Sequence, residues 1–292
     1  MRVRVGVPHF FRERSDGAGY GSSRPNSRLP RSIALSRCLH SLLALARHDQ
    51  DLMIDIGDRC LRRPTTATSA LPPLQVEVHV FTDGQHQLAE VLEAFRGRIE
   101  LHQVELEDPR HLALVCRDHL IAAEPTVDLT IYCEDDLVVH DSLFFDKQLW
   151  FLRGCQGRAV LMPHRYEPIP GGAGRRLLVD GPLRRETIER FYTPEAAVGR
   201  GRFQGGDEVV FDRASNPHSG LFCINAEQVR RLRDQTLPRS GFVGPLETAA
   251  TLTVMQAFTV LKPCLAQRDF LLVEHGHPSF LGYLKTMQIQ PQ

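Results

Sequence analysis

The chain has 292 residues, 42% of them hydrophobic and 24% charged, which is enough apolar material to bury a sizeable core in one large α/β domain or two smaller ones. Lysine plus arginine equals aspartate plus glutamate at 35 each, so no overall field points to nucleic acid or an anionic membrane as a partner. Seven cysteines, an odd number with no C-x-x-C pair, argue for buried reduced thiols over disulfides or a thiolate zinc site. The opening MRVRVGVPHFF lacks an apolar core followed by a small-residue cleavage site. No stretch reaches the roughly 18 apolar residues of a membrane span. The expectation is a cytoplasmic protein with no transmembrane segment, peripheral at a membrane at most.

RVRVGVP (2–8) predicts a short strand stopped by Pro8. Residues 12–31, rich in Gly, Ser, Arg and Pro, read as a mobile loop. Overlapping its end, the spacing of Ile33, Leu35, Leu39, Leu42, Leu43 and Ala46 suits an amphipathic helix from about Leu29 to Arg47. RRPTTATSALPP (62–73) reads as an exposed loop, and QVEVHVFTDG (75–84) as a strand ending in an Asp-Gly turn. A helix over 86–96, a strand over 99–106, a helix over 109–123, a strand over 128–139 and a helix over 142–153 follow. Phe144, Phe145, Trp150 and Phe151 on that last helix are core candidates. Strand and helix alternating in this way predict a three-layer α/β/α sandwich with a mostly parallel central sheet.

Beyond residue 160 the pattern is less regular. PGGAGRR (170–176) and VGRGRFQGGDE (198–208) read as flexible glycine-rich loops flanking a basic helical stretch, GPLRRETIERF. The loops at 12–31 and 170–208 are candidate lids over a bound ligand. SGLFCIN (219–225) reads as a strand leading into a helix to about Arg233, 247–258 as a further helix, and TVLKP and FLLVEH as closing strands. Without an internal repeat, the reading is one domain, residues 1–140 forming a nucleotide-binding half and 141–292 an acceptor-binding and catalytic half.

The segment DLTIYCEDDLVVHD (128–141) places Glu134, Asp135 and Asp136 at the end of a strand that otherwise looks buried. Desolvating one unpaired carboxylate is costly, and like charges side by side raise the cost. Something positive belongs there. In an extended chain Glu134 and Asp136 would share a face and Asp135 would point away. Two carboxylates aimed at one spot beyond a parallel strand suit Mg²⁺ or Mn²⁺, which take oxygen ligands and keep positions open for phosphates. A solvated turn paired with nearby arginines is the alternative.

The stretch VCRDHLIAAEPTVDLTIYCEDDLVV (115–139) resembles the donor-binding segment of nucleotide-sugar-dependent glycosyltransferases of the Rossmann-like GT-A fold. EDDLVVHDSLFF is similar to the Glu-Asp-Asp variant of their Asp-x-Asp motif. The resemblance implies Asp136 as metal ligand, with Glu134 and Asp135 near the donor. It matches Arg117 to an arginine of the preceding helix, although Asp118 stands where asparagine is commoner. It also implies donor contacts from Pro8, His9 and Asp83, and a glycine loop beside the sugar in NPHSGLFCIN, with His218, Ser219 and Gly220. Glu247 would be the catalytic base, and one or both of His275 and His277 would complete the metal site. Read as residue types alone, Glu247 is equally a helix N-terminal acid, the two histidines turn residues, and Asp83 a turn former.

The implied activity is metal-dependent, hexosyltransferase-type transfer of a sugar from a nucleotide-diphosphate donor to a hydroxyl acceptor, with inversion. That acceptor is a saccharide, a lipid-linked saccharide or a protein. The alternative is a non-catalytic module of the same fold that binds a divalent ion or a sugar nucleotide. No P-loop occurs, and VPHFFRE carries no glycine-rich phosphate loop of the kind a nucleotidyltransferase needs after its first strand.

Overall fold

A computed structural model describes residues 1–13, 25–67, 69–171 and 174–289. Residues 14–24 and 172–173 of the two candidate lids lie outside the described residues. The first half runs β1 (Arg2–Pro8), α1 (Arg28–Ala44), β2 (Met53–Asp55), β3 (Cys60–Arg62), β4 (Gln75–Thr82), α2 (Ala89–Ala94), β5 (Glu100–Gln103), α3 (Leu112–Ala122), β6 (Leu129–Cys133) and β7 (Leu137–Val138). The second continues with α4 (Phe144–Gly154), β8 (Ala159–Leu161), β9 (His164–Pro168), β10 (Arg176–Leu178), α5 (Arg185–Ile188), β11 (Glu195–Arg202), β12 (Glu208–Arg213), β13 (Leu221–Asn225) and α6 (Ala226–Arg233). It closes with α7 (Pro245–Glu247), a π-helical turn (Thr248–Leu252), α8 (Thr253–Met255), β14 (Thr259–Pro263) and β15 (Leu272–His275).

The central sheet has the order β13-β6-β1-β4-β5. β1, β4, β5 and β6 are parallel, and β13 runs antiparallel to β6 at the edge. Val3, Val5 and Val7 of β1 and Val78 and Val80 of β4 pack with Leu35, Leu39 and Leu42 of α1 on one face. On the other, Phe81, Tyr132 and Phe222 meet Cys116 and Leu120 of α3 and Val229 and Leu232 of α6. Both faces are covered, which is why β6 is buried throughout and almost wholly apolar instead of alternating. Helix α3 presses so closely on β1 that a Cβ on Gly6 would stand 2.7 Å from a Leu120 methyl. The architecture is the α/β sandwich with a mostly parallel central sheet that the sequence predicts.

Two four-stranded sheets, β10-β9-β15-β7 and β11-β12-β14-β8, build the second half with mainly antiparallel pairing. Here the sequence reading needs three corrections. VGRGRFQGGDE is not a loop: most of it forms the β11–β12 hairpin. Gly201 serves packing, since a Cβ there would lie 2.8 Å from the Trp150 ring. The expected helix over 247–258 is interrupted by the π turn, and the basic stretch around 184–191 forms only the four residues of α5. A small exposed hairpin, β2–β3, has no counterpart in the prediction.

Candidate active site

β6 ends at Cys133, and the chain turns through Glu134, Asp135 and Asp136 before resuming as β7. The turn breaks strand alternation, so the carboxylates do not sort by parity. Asp135 and Asp136 share one cation: Arg31, from the first turn of α1, donates Nη2 to Asp135 at 2.5 Å and Nη1 to Asp136 at 2.8 Å. Asp135 also accepts from His9 Nδ1 at 2.6 Å. The Leu88 amide donates to the other nitrogen of that ring, which fixes the tautomer with its hydrogen on Nδ1. Burial alone would raise the Asp135 carboxyl, but Arg31 and His9 outweigh it and hold it well below the usual range.

Glu134 points to a different partner. Its carboxylate lies 3.5 Å from Arg165 Nη1 and 3.9 Å from His218 Nε2. Burial pushes its pKa up to about 7, because Arg165 offsets the desolvation only in part while Asp136 and Glu247 add like charge. Arg165 is fixed from behind by Asp180, which accepts from its Nε and Nη2 at 3.0 and 2.8 Å and from Lys262 at 3.2 Å. Burial would raise the Asp180 carboxyl, and Arg165 and Lys262 reverse this and hold it well below the usual range. Burial, followed by the Arg165 charge, pushes His218 well below its ordinary value, so it is a neutral imidazole accepting or donating at Thr251 Oγ1, 2.8 Å away.

β15 closes the site. His275 holds Nε2 at 3.5 Å from Asp136 Oδ2 and Nδ1 at 2.8 Å from Glu167 Oε1. Burial opposes protonation of this ring, but Asp136 and Glu167 together raise its pKa. Glu167 also accepts from the backbone amides of Ser279, Phe280 and Leu281. His277 is buried and its Nδ1 has no hydrogen-bond partner. A carboxylate behind one histidine nitrogen, with the other nitrogen facing Asp136, is the arrangement that orients an imidazole for a metal ion. Asp136, His275 and the orphaned nitrogen of His277 are the candidate holders of a divalent cation, with Asp136 Oδ2 also accepting from Arg31 Nη1.

The structure brings His9, Glu134, Asp135, Asp136, His218, His275 and His277 into one buried polar centre. Gly220 belongs to it through its backbone: its carbonyl accepts from the Glu134 amide, and at φ +67° a Cβ there would stand 2.6 Å from the Glu134 carboxylate. Ser219 is fully buried and donates toward Met162 Sδ and the Leu221 carbonyl, a turn-shaping role. Pro8 ends β1 opposite Phe81. Asp83 accepts from the Gln85 and His86 amides and pairs with the His86 ring, so its carboxylate closes a turn. Glu247 accepts from the Gly244 amide through Oε2, as a helix N-terminal acid does, while its charge is felt at Glu134.

Arg117, which the resemblance matches to the helix-motif arginine, is engaged within the protein. Its fully buried guanidinium donates to Asp118, the Pro238 carbonyl and Thr253 Oγ1, pinning α3 to the 238–253 segment. The cations at the acids are instead Arg31 and Arg165, which sequence reasoning missed along with Asp180, Lys262 and Glu167. One signal for two of them was present. In β9, HRYEP, the alternating positions Arg165 and Glu167 are the buried ones, so this strand points its charges inward. Arg31 gave no such signal, since it sits where an arginine-rich loop runs into α1.

No helix is long and apolar enough to cross a membrane among the described residues. No family model matches the chain, and no curated protein matches it in sequence. Among solved structures, residues 1–349 of S. aureus TarS align with 94% of this chain at 13% identity and a TM-score of 0.43. The same fragment in complex with UDP-GlcNAc aligns at 14% identity, 94% coverage and a TM-score of 0.38. CMP:2-keto-3-deoxy-manno-octonic acid synthetase complexed with CTP aligns over 94% of this chain and 90% of its own, at 15% identity and a TM-score of 0.39. The chain spans 58% of the TarS fragment in the first of these alignments and 56% in the second. Likenesses of this size leave the chemistry to be argued from the site itself.

Proposed function

We propose that the chain is a metal-dependent glycosyltransferase that moves a sugar from a nucleotide-diphosphate donor to a hydroxyl acceptor with inversion. One observation carries the reading: three carboxylates, Asp135 and Asp136 buried and Glu134 half-buried, sit beyond the end of a central parallel strand, and Asp136 faces a histidine that a second carboxylate orients. In open α/β sheets this is where ligands bind. Asp136 and His275 would hold Mn²⁺ or Mg²⁺, with His277 beside them, and a bound ion supplies electrostatic stabilisation of the departing diphosphate. Residues 1–140 form the donor half in this reading and 141–292 the acceptor half.

The chain's own residues divide the remaining work. Arg31 and Arg165 are fixed cations beside the acids, and they favour a diphosphate without reorganising. His218 and the glycine turn at 220 border Glu134, on the side where the sugar would lie. Attack by the acceptor hydroxyl forms the new glycosidic bond as the bond to the diphosphate breaks. The hydroxyl proton passes to Glu247, whose Oε1 is not used by the Gly244 contact. A cavity of about 520 Å³ lined by Asp180, Glu195, Arg213, Asn216 and Lys262 adjoins the Arg165 chain of contacts and is the candidate acceptor cleft.

The test is thermal stability with a panel of nucleoside diphosphates, each with and without Mn²⁺, because a ligand of the folded state raises Tm by mass action. The expected result is a shift for one nucleotide that requires Mn²⁺ and disappears in Asp136→Ala. Glu247→Ala should keep that shift and lose turnover of the matching sugar nucleotide. A shift with metal alone and none with any nucleotide would replace this reading with an ion-binding module.

A further inference from the structure

A second polar centre lies at the opposite flank of the central sheet and shares no residue with the acid centre. In the β4–β5 register His79 is opposite Glu100 and Phe81 opposite His102, so these four side chains alternate onto one face. That face is the one covered by α3, which adds His119. One ligand atom from each of His79, His102 and His119 falls within 4.8 Å of the others. His79 Nδ1 and His102 Nε2 are 2.9 Å apart, and the two oxygens of Glu100 stand 3.4 and 3.5 Å from those same nitrogens.

We propose that His79, His102 and His119, with Glu100 as fourth ligand, form a zinc site that ties the edge strand β5 and its neighbour β4 to helix α3. Three imidazoles and one carboxylate are a ligand set that tetrahedral Zn²⁺ accepts. The burial is graded as a binding site requires: His79 is buried, His102 partly so, and His119 exposed, which leaves a solvent path for the ion. Burial lowers the pKa of His79 and of His119, and the neighbouring His102 adds to the effect, so these rings are in the neutral, ligating form near pH 7. Without an ion, the 2.9 Å contact needs one nitrogen to donate and the other to accept; zinc would take the lone pair of both, the proton moving to the far ring nitrogen. The cation facing the cluster is Arg4, whose Nη1 donates to the Glu124 carbonyl and whose Nε stands 3.6 Å from Glu77. It is held by those partners and takes no place among the four ligands.

The competing account is aromatic packing alone. The His102 ring stacks on Phe81 with centroids 4.5 Å apart, and His119 meets Phe81 edge-on at 5.0 Å. The two accounts differ in what zinc does. Metal-stripped protein titrated with Zn²⁺ should bind an ion whose affinity falls by about a hundredfold or more in His119→Ala. His119 is exposed on a helix, where alanine is the best helix former, so this variant folds. Co²⁺ in place of Zn²⁺ should give the visible absorption of a tetrahedral site in wild type and lose it in His119→Ala and His102→Ala. Unchanged Zn²⁺ affinity in both variants would overturn the proposal, as would the absence of any bound Zn²⁺ in wild type. So would a zinc signal that survives His119→Ala and vanishes in Asp136→Ala, because the ion would then reside among the acids. None of these outcomes depends on glycosyl transfer.

Discussion

The acid centre and the histidine centre are both polar insertions into the same sheet, yet they are stabilised in opposite ways. At the acids every charge has a fixed countercharge: Arg31 for Asp135 and Asp136, Arg165 for Glu134, and Asp180 shared between Arg165 and Lys262. Remove one member and another is left desolvated and unpaired. The histidines carry no such obligation, because the His102 ring stacks on Phe81 and Glu100 keeps its carboxylate 65% exposed. The first centre is therefore tightly coupled to stability. The second is free to gain or lose an occupant.

That contrast ranks the consequences of substitution. Asp180→Asn should be the most damaging, costing about 3–5 kcal/mol near neutral pH, since it strands Arg165 and Lys262 in the interior. The sign with pH follows from the depressed carboxyl: its contribution is complete above the ordinary value of 3.8 and is lost as pH falls toward the lower folded value. The gap between wild type and variant in urea denaturation should thus narrow below that pH. A gap that stays constant into acid would mean that the Asp180 pairing contributes nothing.

Gly220→Ala comes next, at about 1–3 kcal/mol, because the added methyl meets the Glu134 carboxylate and the backbone is left-handed there. Equilibrium unfolding gives the number, and a neutral result would show that the turn relaxes freely. At the other centre, His102→Ala in the presence of a chelator should cost about 1 kcal/mol, the worth of its stack on Phe81. His119→Ala under the same conditions should stay within about 0.5 kcal/mol of wild type, as exposed substitutions do. If chelated His102→Ala unfolded as readily as Asp180→Asn, the distinction between the two centres would fail.

How far the sequence foretold all this depends on burial. β6 and β13 were legible as nearly continuous apolar runs and β1 and β4 as valines in alternation, and the acids stood out at the end of β6. The C-terminal pair His275 and His277 was legible as a position, though nothing in the sequence announced Glu167 behind it. The second half was harder for a definite reason. β11 reads EAAVGRGR, and its glycines suggest mobility until Trp150 is seen filling the space that the missing side chain of Gly201 leaves. For Arg117 the helix was legible but not the contacts, which join that helix to its neighbours. The three histidines come from residues 79, 102 and 119, a spacing with no local motif, and only the strand register brings them together.

Glu167 has one more consequence. A single carboxylate takes hydrogen bonds from three successive amides of the 279–281 turn and also sets the tilt of the His275 ring. A rigid hub of this kind transmits displacement: the turn cannot lift without dragging the carboxylate, and the carboxylate cannot move without rotating the ring away from Asp136. Whatever touches the chain just beyond residue 278 therefore has a lever, one side chain long, on the ligand geometry of the acid centre.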